Sequence, residues 1–176
     1  MKESIIKKDS RDFIALKESV NRDNFIKFEV NEKPKTINLK LLAKEHKTPI
    51  LIKSGEEEVM YIVNKDWNKN VEIKLKDKTK SFTIYGDITG FDCFDCYLTK
   101  LDVSNNKILE ILICPLNEFG FVDVTKNINL KKLDCDANWL FELDVSNNIN
   151  LEELRCEGNH IEYLDLSNCK NLKRLY

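Results

Sequence analysis

The residues of this 176-residue chain with the most chemical reach are six cysteines and two histidines. Cys93-Phe-Asp-Cys96 has the spacing of a thiolate pair that could hold a metal or cycle through a disulfide. A closed tetrahedral metal site needs a second such pair, and none exists; the histidines, His46 and His160, stand far apart. Nucleophilic catalysis needs a base held beside the nucleophile by a third group, and two histidines leave few options. Five scattered glycines build no phosphate-cradling loop. The sequence therefore predicts a binding or scaffold protein rather than an enzyme, with no catalytic residues, no cofactor and no bound metal.

The positions of the cysteines have a simpler origin in a repeat. Written in rows of 21, residues 88–108, 109–129, 130–150 and 151–171 align without insertion, and 172–176 open a fifth row. A slot filled alike in every row is a slot that stacks on itself. Ile88, Leu109, Leu130, Leu151 and Leu172 form one apolar column, and Phe91, Leu112, Leu133, Leu154 and Leu175 the next. Cys93, Cys114, Cys135 and Cys156 follow two residues on, so in an extended strand they point the same way. Three further apolar columns begin at Leu98, Leu101 and Val103. Asparagine fills two more: Asn117, Asn138 and Asn159, with Cys96 in the first row, and Asn106, Asn127 and Asn148, with Cys169 in the last. The separation of Cys93 from Cys96 is thus the distance between two columns, and buried free thiols are expected. The asparagine amides are expected to donate to and accept from backbone groups of neighbouring coils. One coil cannot bury its apolar face alone, but coils stacked at a strand spacing of about 4.8 Å share a core.

Residues before about 88 read differently. Phe25–Val30, Thr36–Leu41, Val71–Leu75 and Ser81–Tyr85 alternate like half-buried strands, while Pro49–Lys53 and Val59–Val63 resemble more buried ones. Asp77–Lys80 fits a polar hairpin turn between the last two, and Arg11–Val20 fits a helix while Phe13–Leu16 fits a strand nearly as well. The expected fold class is mostly β: a β-rich N-terminal domain over 1–87, acting as a cap, and a leucine-rich-repeat solenoid of short parallel strands over 88–176.

Lys+Arg 28 nearly cancel Asp+Glu 30, so the field that a nucleic-acid partner requires is missing. No apolar run is long enough to span a bilayer, and the first residues lack the apolar core of a signal peptide. As written, the chain reads as cytoplasmic, or as surface-exposed or secreted if it is a processed or truncated form.

Alternation names the face expected to meet a partner. If Leu133 and Cys135 point inward, Asp134 and Asp136 point outward. The outward columns are then Asp92, Ile113, Asp134 and Arg155, and beside them Phe94, Pro115, Asp136 and Glu157. One turn on, Tyr97, Glu118, Trp139 and His160 line the edge. Phe94, Ile113 and Pro115 at one end, with charges at the other, have the form of an apolar anchor with a polar rim. The alternative is that Phe94 and Ile113 pack under the N-terminal domain and Trp139 covers the lip of the coils.

The block YGDITGFDCFDCYLTKLDVSNNKILEIL, echoed by LKKLDCDANWLFELDVSNN, resembles the cysteine-containing, 21-residue leucine-rich repeats of bacterial internalin-type surface proteins and related Bacteroidetes proteins. The resemblance is strong over 82–176 and loose before it. It implies a protein partner, no cofactor and no catalytic residues. Three roles follow as expectations: a recognition module using its concave strand face, an adhesive segment of an exported surface protein, or an intracellular inhibitor of immunity type. Leu172 and Leu175 have nothing after them to cover the last coil, so contacts between copies are expected there.

Overall fold

The computed structural model describes residues 11–67, 70–75 and 80–176. The segment whose pattern fitted either helix or strand is a helix, α1 (Arg11–Ser19). Its buried Phe13 packs with Val20, Leu51 and Met60 in a small satellite core. Lys17 pairs with Glu58 to hold the helix against the strands.

All six expected N-terminal strands form: β1 (Phe25–Val30), β2 (Thr36–Ala43), β3 (Thr48–Ser54), β4 (Glu57–Val63), β5 (Asn70–Lys74) and β6 (Ser81–Tyr85). Alternation works where one face of a strand is buried: in β2, Ile37, Leu39, Leu41 and Ala43 are inside and their neighbours outside, whereas β3 buries Ile50, Leu51 and Ile52 in succession. The repeat region adds β7 (Ile88–Asp92), β8 (Leu98–Asp102), β9 (Ile111–Ile113), β10 (Lys132–Asp134), β11 (Glu153–Arg155) and β12 (Arg174–Leu175). The protein is mostly β.

These strands make two sheets, one ordered β4-β3-β6-β1-β8 and the other β12-β11-β10-β9-β7-β2-β5. The expected hairpin between the last two N-terminal strands does not form. Residues 77–79 of that turn lie outside the described residues, but β5 pairs with β2 while β6 pairs with β1 and β3, so the chain crosses from one sheet to the other.

Within the longer sheet, β7, β9, β10, β11 and β12 are parallel and in 21-residue register: Phe91 faces Leu112, Leu112 faces Leu133, Leu133 faces Leu154, and Leu154 faces Leu175. The ladder continues past the strands, with the amides of Cys93, Cys114 and Cys135 donating to Ile113, Asp134 and Arg155. The first coil is held on both sides. Its β7 pairs antiparallel with β2, and its β8 pairs antiparallel with β1. β7 is thereby an inner strand of its sheet, whereas β8 ends the five-stranded sheet. Phe28 of β1 stacks on Phe82 at 5.2 Å and lies 6.1 Å from Phe91 of β7, which joins the two sheets across one continuous core running to Leu154.

Candidate partner-binding face

Each coil turns at an asparagine. Asn117 Nδ2 donates to the carbonyls of Cys93, Cys114 and Pro115, and Asn138 and Asn159 repeat this one and two coils on. The second column works alike, Asn127 donating to Val103 and Asn106, and Asn148 to Val124 and Asn127. Donation follows expectation; acceptance does so only in part. The Oδ1 atoms of Asn117 and Asn159 accept from Leu98 and Leu140, but those of Asn106, Asn127, Asn138 and Asn148 are buried without a partner. The tight turn brings several carbonyls to the amide NH2 and too few N–H groups to its oxygen.

Where cysteine replaces asparagine, the thiol takes over part of the amide's task. Cys96 donates to Asn38 of β2 at 3.3 Å, tying the first coil to the N-terminal strands, and Cys169 lies 3.7 Å from the Val145 carbonyl. Cys114 and Cys135 donate to Asp134 and Arg155 on the next coil, both at 3.3 Å. Burial pushes the thiols of Cys93, Cys114 and Cys135 up, and that of Cys96 up to about 11. Such thiols stay protonated at neutral pH, and a protonated thiol is a poor nucleophile and metal ligand.

Turns and thiols fix the outer face of the seven-stranded sheet as rows that run across strands. One row passes from Leu42 through Gly90 and Ile111 to Lys132, Glu153 and Arg174. The next passes from Lys40 through Asp92 and Ile113 to Asp134 and Arg155. The charged end is knit together. Glu153 receives Lys132 at 3.0 Å, Arg174 at 2.7 Å and Arg155 at 3.5 Å, and Arg155 also reaches Asp136 at 3.7 Å. Hydrogen bonds from Arg174 and Lys132 pull the Glu153 carboxyl below its usual range, while burial pushes Asp134 up. The Arg155 guanidinium lies 4.2 Å from the ring centre of Tyr176.

The expected residues divide. Ile113, Asp134, Asp136 and Arg155 line the face half-buried, and Phe94 and Glu157 project beside it, Phe94 at 54% exposure. Pro115 is buried and offers no anchor. Asp92, read as outward, is only 8% exposed and ion-paired with Lys40, because β2 extends the sheet beside it. Tyr97 is half-buried with Lys33 over its ring, and Glu118 takes up Lys33 and Asn31, so both belong to the contact with the N-terminal strands. Trp139 is exposed, and His160 stacks with Phe141 at 5.3 Å; both follow the asparagine turn rather than the strands.

Sequence reasoning missed Trp67, from the connection between β4 and β5, whose ring lies against Gly90 on the outer face. The available signal was Gly90 itself, a glycine inside a strand, which marks close approach of another group. It also missed Phe121 and Tyr163, because a column that changes from row to row shows no repeat. Among the described residues no helix is long and apolar enough to cross a membrane.

No family model matches the chain, and no curated protein matches it. Among solved structures it is similar to the functional domain of InlJ from Listeria monocytogenes, which includes a cysteine ladder. The two are 38% identical with a TM-score of 0.50, over 51% of this chain. The match covers 20% of the InlJ chain, so this chain spans about a fifth of it. This likeness supports an internalin-like bacterial repeat protein of leucine-rich-repeat type.

Proposed function

We propose that the protein is a non-catalytic recognition module in which residues 88–176 form a leucine-rich-repeat solenoid, residues 1–87 cap it, and the outer face of the seven-stranded sheet binds a protein partner. The observation that supports this best is the division of that face. Trp67, Ile111 and Ile113 lie between the Lys40–Asp92 pair on one side and Lys132, Glu153, Arg155 and Arg174 on the other, with Phe94 exposed beside them. Apolar and aromatic side chains beside a charged rim are the composition of an interface centre, where a few residues carry most of the binding energy. The ion pairs within the face position charge; each exposed pair adds only about 0–1 kcal/mol to stability.

A partner captured by the immobilised chain and identified by mass spectrometry would be titrated against the Ile113→Asp and Phe94→Ser variants. Loss of affinity on the order of a hundredfold, with folding intact, is expected for residues at the centre of an interface. Unchanged affinity in both variants would remove this face from the reading. The likeness to InlJ favours a second role, as a segment of a longer bacterial surface protein with an adhesive task.

A further inference from the structure

The arm of each coil opposite the strands carries a feature unrelated to the face above. Phe121, Glu142 and Tyr163 occupy one slot in three successive coils, and Asp123, Asp144 and Asp165 occupy the slot two residues on. All six line a single open cleft of about 510 Å³, floored by Val122 and Leu143. Phe121 is 57% and Tyr163 80% exposed, an expensive way to place two rings unless something covers them.

Successive coils lie about 4.8 Å apart, so Phe121 and Tyr163 stand about 10 Å apart with Glu142 between them. A cationic group held over Glu142 stands between two aromatic neighbours, each able to attract it through its face. The charge in the cleft matches. Each aspartate accepts the backbone N–H two residues on, Thr125, Ser146 and Ser167 respectively, at 2.8–2.9 Å through Oδ1. The hydroxyls of Thr125 and Ser146, then these backbone bonds, hold Asp123 and Asp144 below their usual range, and the backbone N–H of Ser167, then its hydroxyl, does so for Asp165, so all three are ionised at neutral pH. Other carboxylates on neighbouring coils are ion-paired: Glu29 with Lys100, Glu110 with Lys131, Glu152 with Lys173. Among the described residues, no ion pair forms with Glu142, Asp144 or Asp165; Lys126 is the cation felt by Asp123. Nor do three ligating groups converge on a point that would hold a metal ion. The negative charge is spread along the coils between aromatic walls.

We propose that this cleft binds a basic peptide segment of a protein partner, one arginine or lysine side chain entering between Phe121 and Tyr163 and meeting Glu142 and Asp144. A flat guanidinium suits it best, because it stacks on rings and donates to two carboxylate oxygens at once.

The test uses the full chain and a fluorescein-labelled Gly-Arg-Gly-Arg-Gly peptide, followed by fluorescence anisotropy, with the isosteric citrulline peptide as the uncharged comparison. Saturable one-to-one binding of the arginine peptide is expected, with the citrulline peptide unbound. Tyr163→Ser, and separately the pair Glu142→Gln with Asp144→Asn, should each weaken it on the order of tenfold, the loss of one cation–ring or one charge-assisted contact. Tyr163 is exposed enough that its replacement leaves the core intact, and a thermal melt checks this. Absence of saturable binding up to millimolar protein overturns the proposal. So does binding that Tyr163→Ser leaves unchanged, which would mean diffuse attraction to an acidic surface, or equal binding of the citrulline peptide.

Discussion

The indole of Trp67 lies so close over Gly90 that a Cβ on residue 90 would sit 2.7 Å from the ring and 2.8 Å from Leu42 Cβ. Glycine in the middle of β7 is thus the condition for an aromatic ring to reach the outer face of the sheet. Gly90→Ala should push the ring away, because Leu42 is fixed by its own strand pairing. A destabilisation on the order of 1–3 kcal/mol in urea unfolding is expected for such overpacking. In a Trp139→Phe background Trp67 is the sole tryptophan, and its emission should shift to the red; unchanged emission and stability would show that the ring does not rest there.

The asparagine turns should be costly to remove. Asn148 is buried and donates to Val124 at 3.0 Å and Asn127 at 2.9 Å. Asn148→Ala removes one of the two hydrogen bonds that each of these carbonyls accepts, the other coming from the backbone N–H of Asn127 and of Leu130, a loss of about 2 kcal/mol for the two bonds. Asn148→Asp should cost more, since a carboxylate cannot donate and would face both oxygens. Equal urea midpoints for wild type and Asn148→Ala would show that water replaces the lost donor.

Thiol chemistry should follow burial. Cys156 is half-buried, whereas Cys93, Cys114 and Cys135 are fully enclosed with thiols pushed far above their ordinary range. With a thiol reagent at pH 8, Cys156 should label first and those three only as the coils open. All six should titrate after denaturation without reductant. Mass spectrometry of the labelled peptides checks the order, and fast labelling of Cys93 would contradict it.

Acid should loosen the charged end of the strand face. The folded Glu153 carboxyl titrates below its ordinary 4.5, first through Arg174 and then through Lys132. Its contribution is therefore complete above pH 4.5 and is lost as pH falls through the lower folded value. Between pH 5 and pH 3 the wild type should lose more stability than Glu153→Gln, as read by urea midpoints. Parallel loss in both would mean that the pairs around Glu153 contribute nothing net.

The repeat was open to reading because a solenoid-like register is local arithmetic: residues 21 apart must meet if the coils stack, so Leu112, Leu133 and Leu154 announce their own neighbours. Alternation likewise located β1, β2, β5 and β6, since a strand with one wet face shows its period directly, while β3 and β4 showed as short continuous apolar runs. The proposed binding face was legible only where the columns were free of neighbours, as at Ile113, Asp134 and Arg155.

What the tertiary structure alone decided is how distant segments met that register. That β2 would pair with β7 and bury Asp92, that β1 would pair with β8, and that Trp67 would settle on Gly90 depend on contacts between segments tens of residues apart. No local period carries such information, because strand pairing across a long connection is chosen by the complementarity of whole surfaces. The same reason applies to the cleft: Phe121, Glu142 and Tyr163 share a slot but not a residue type, and only stacking makes them one site.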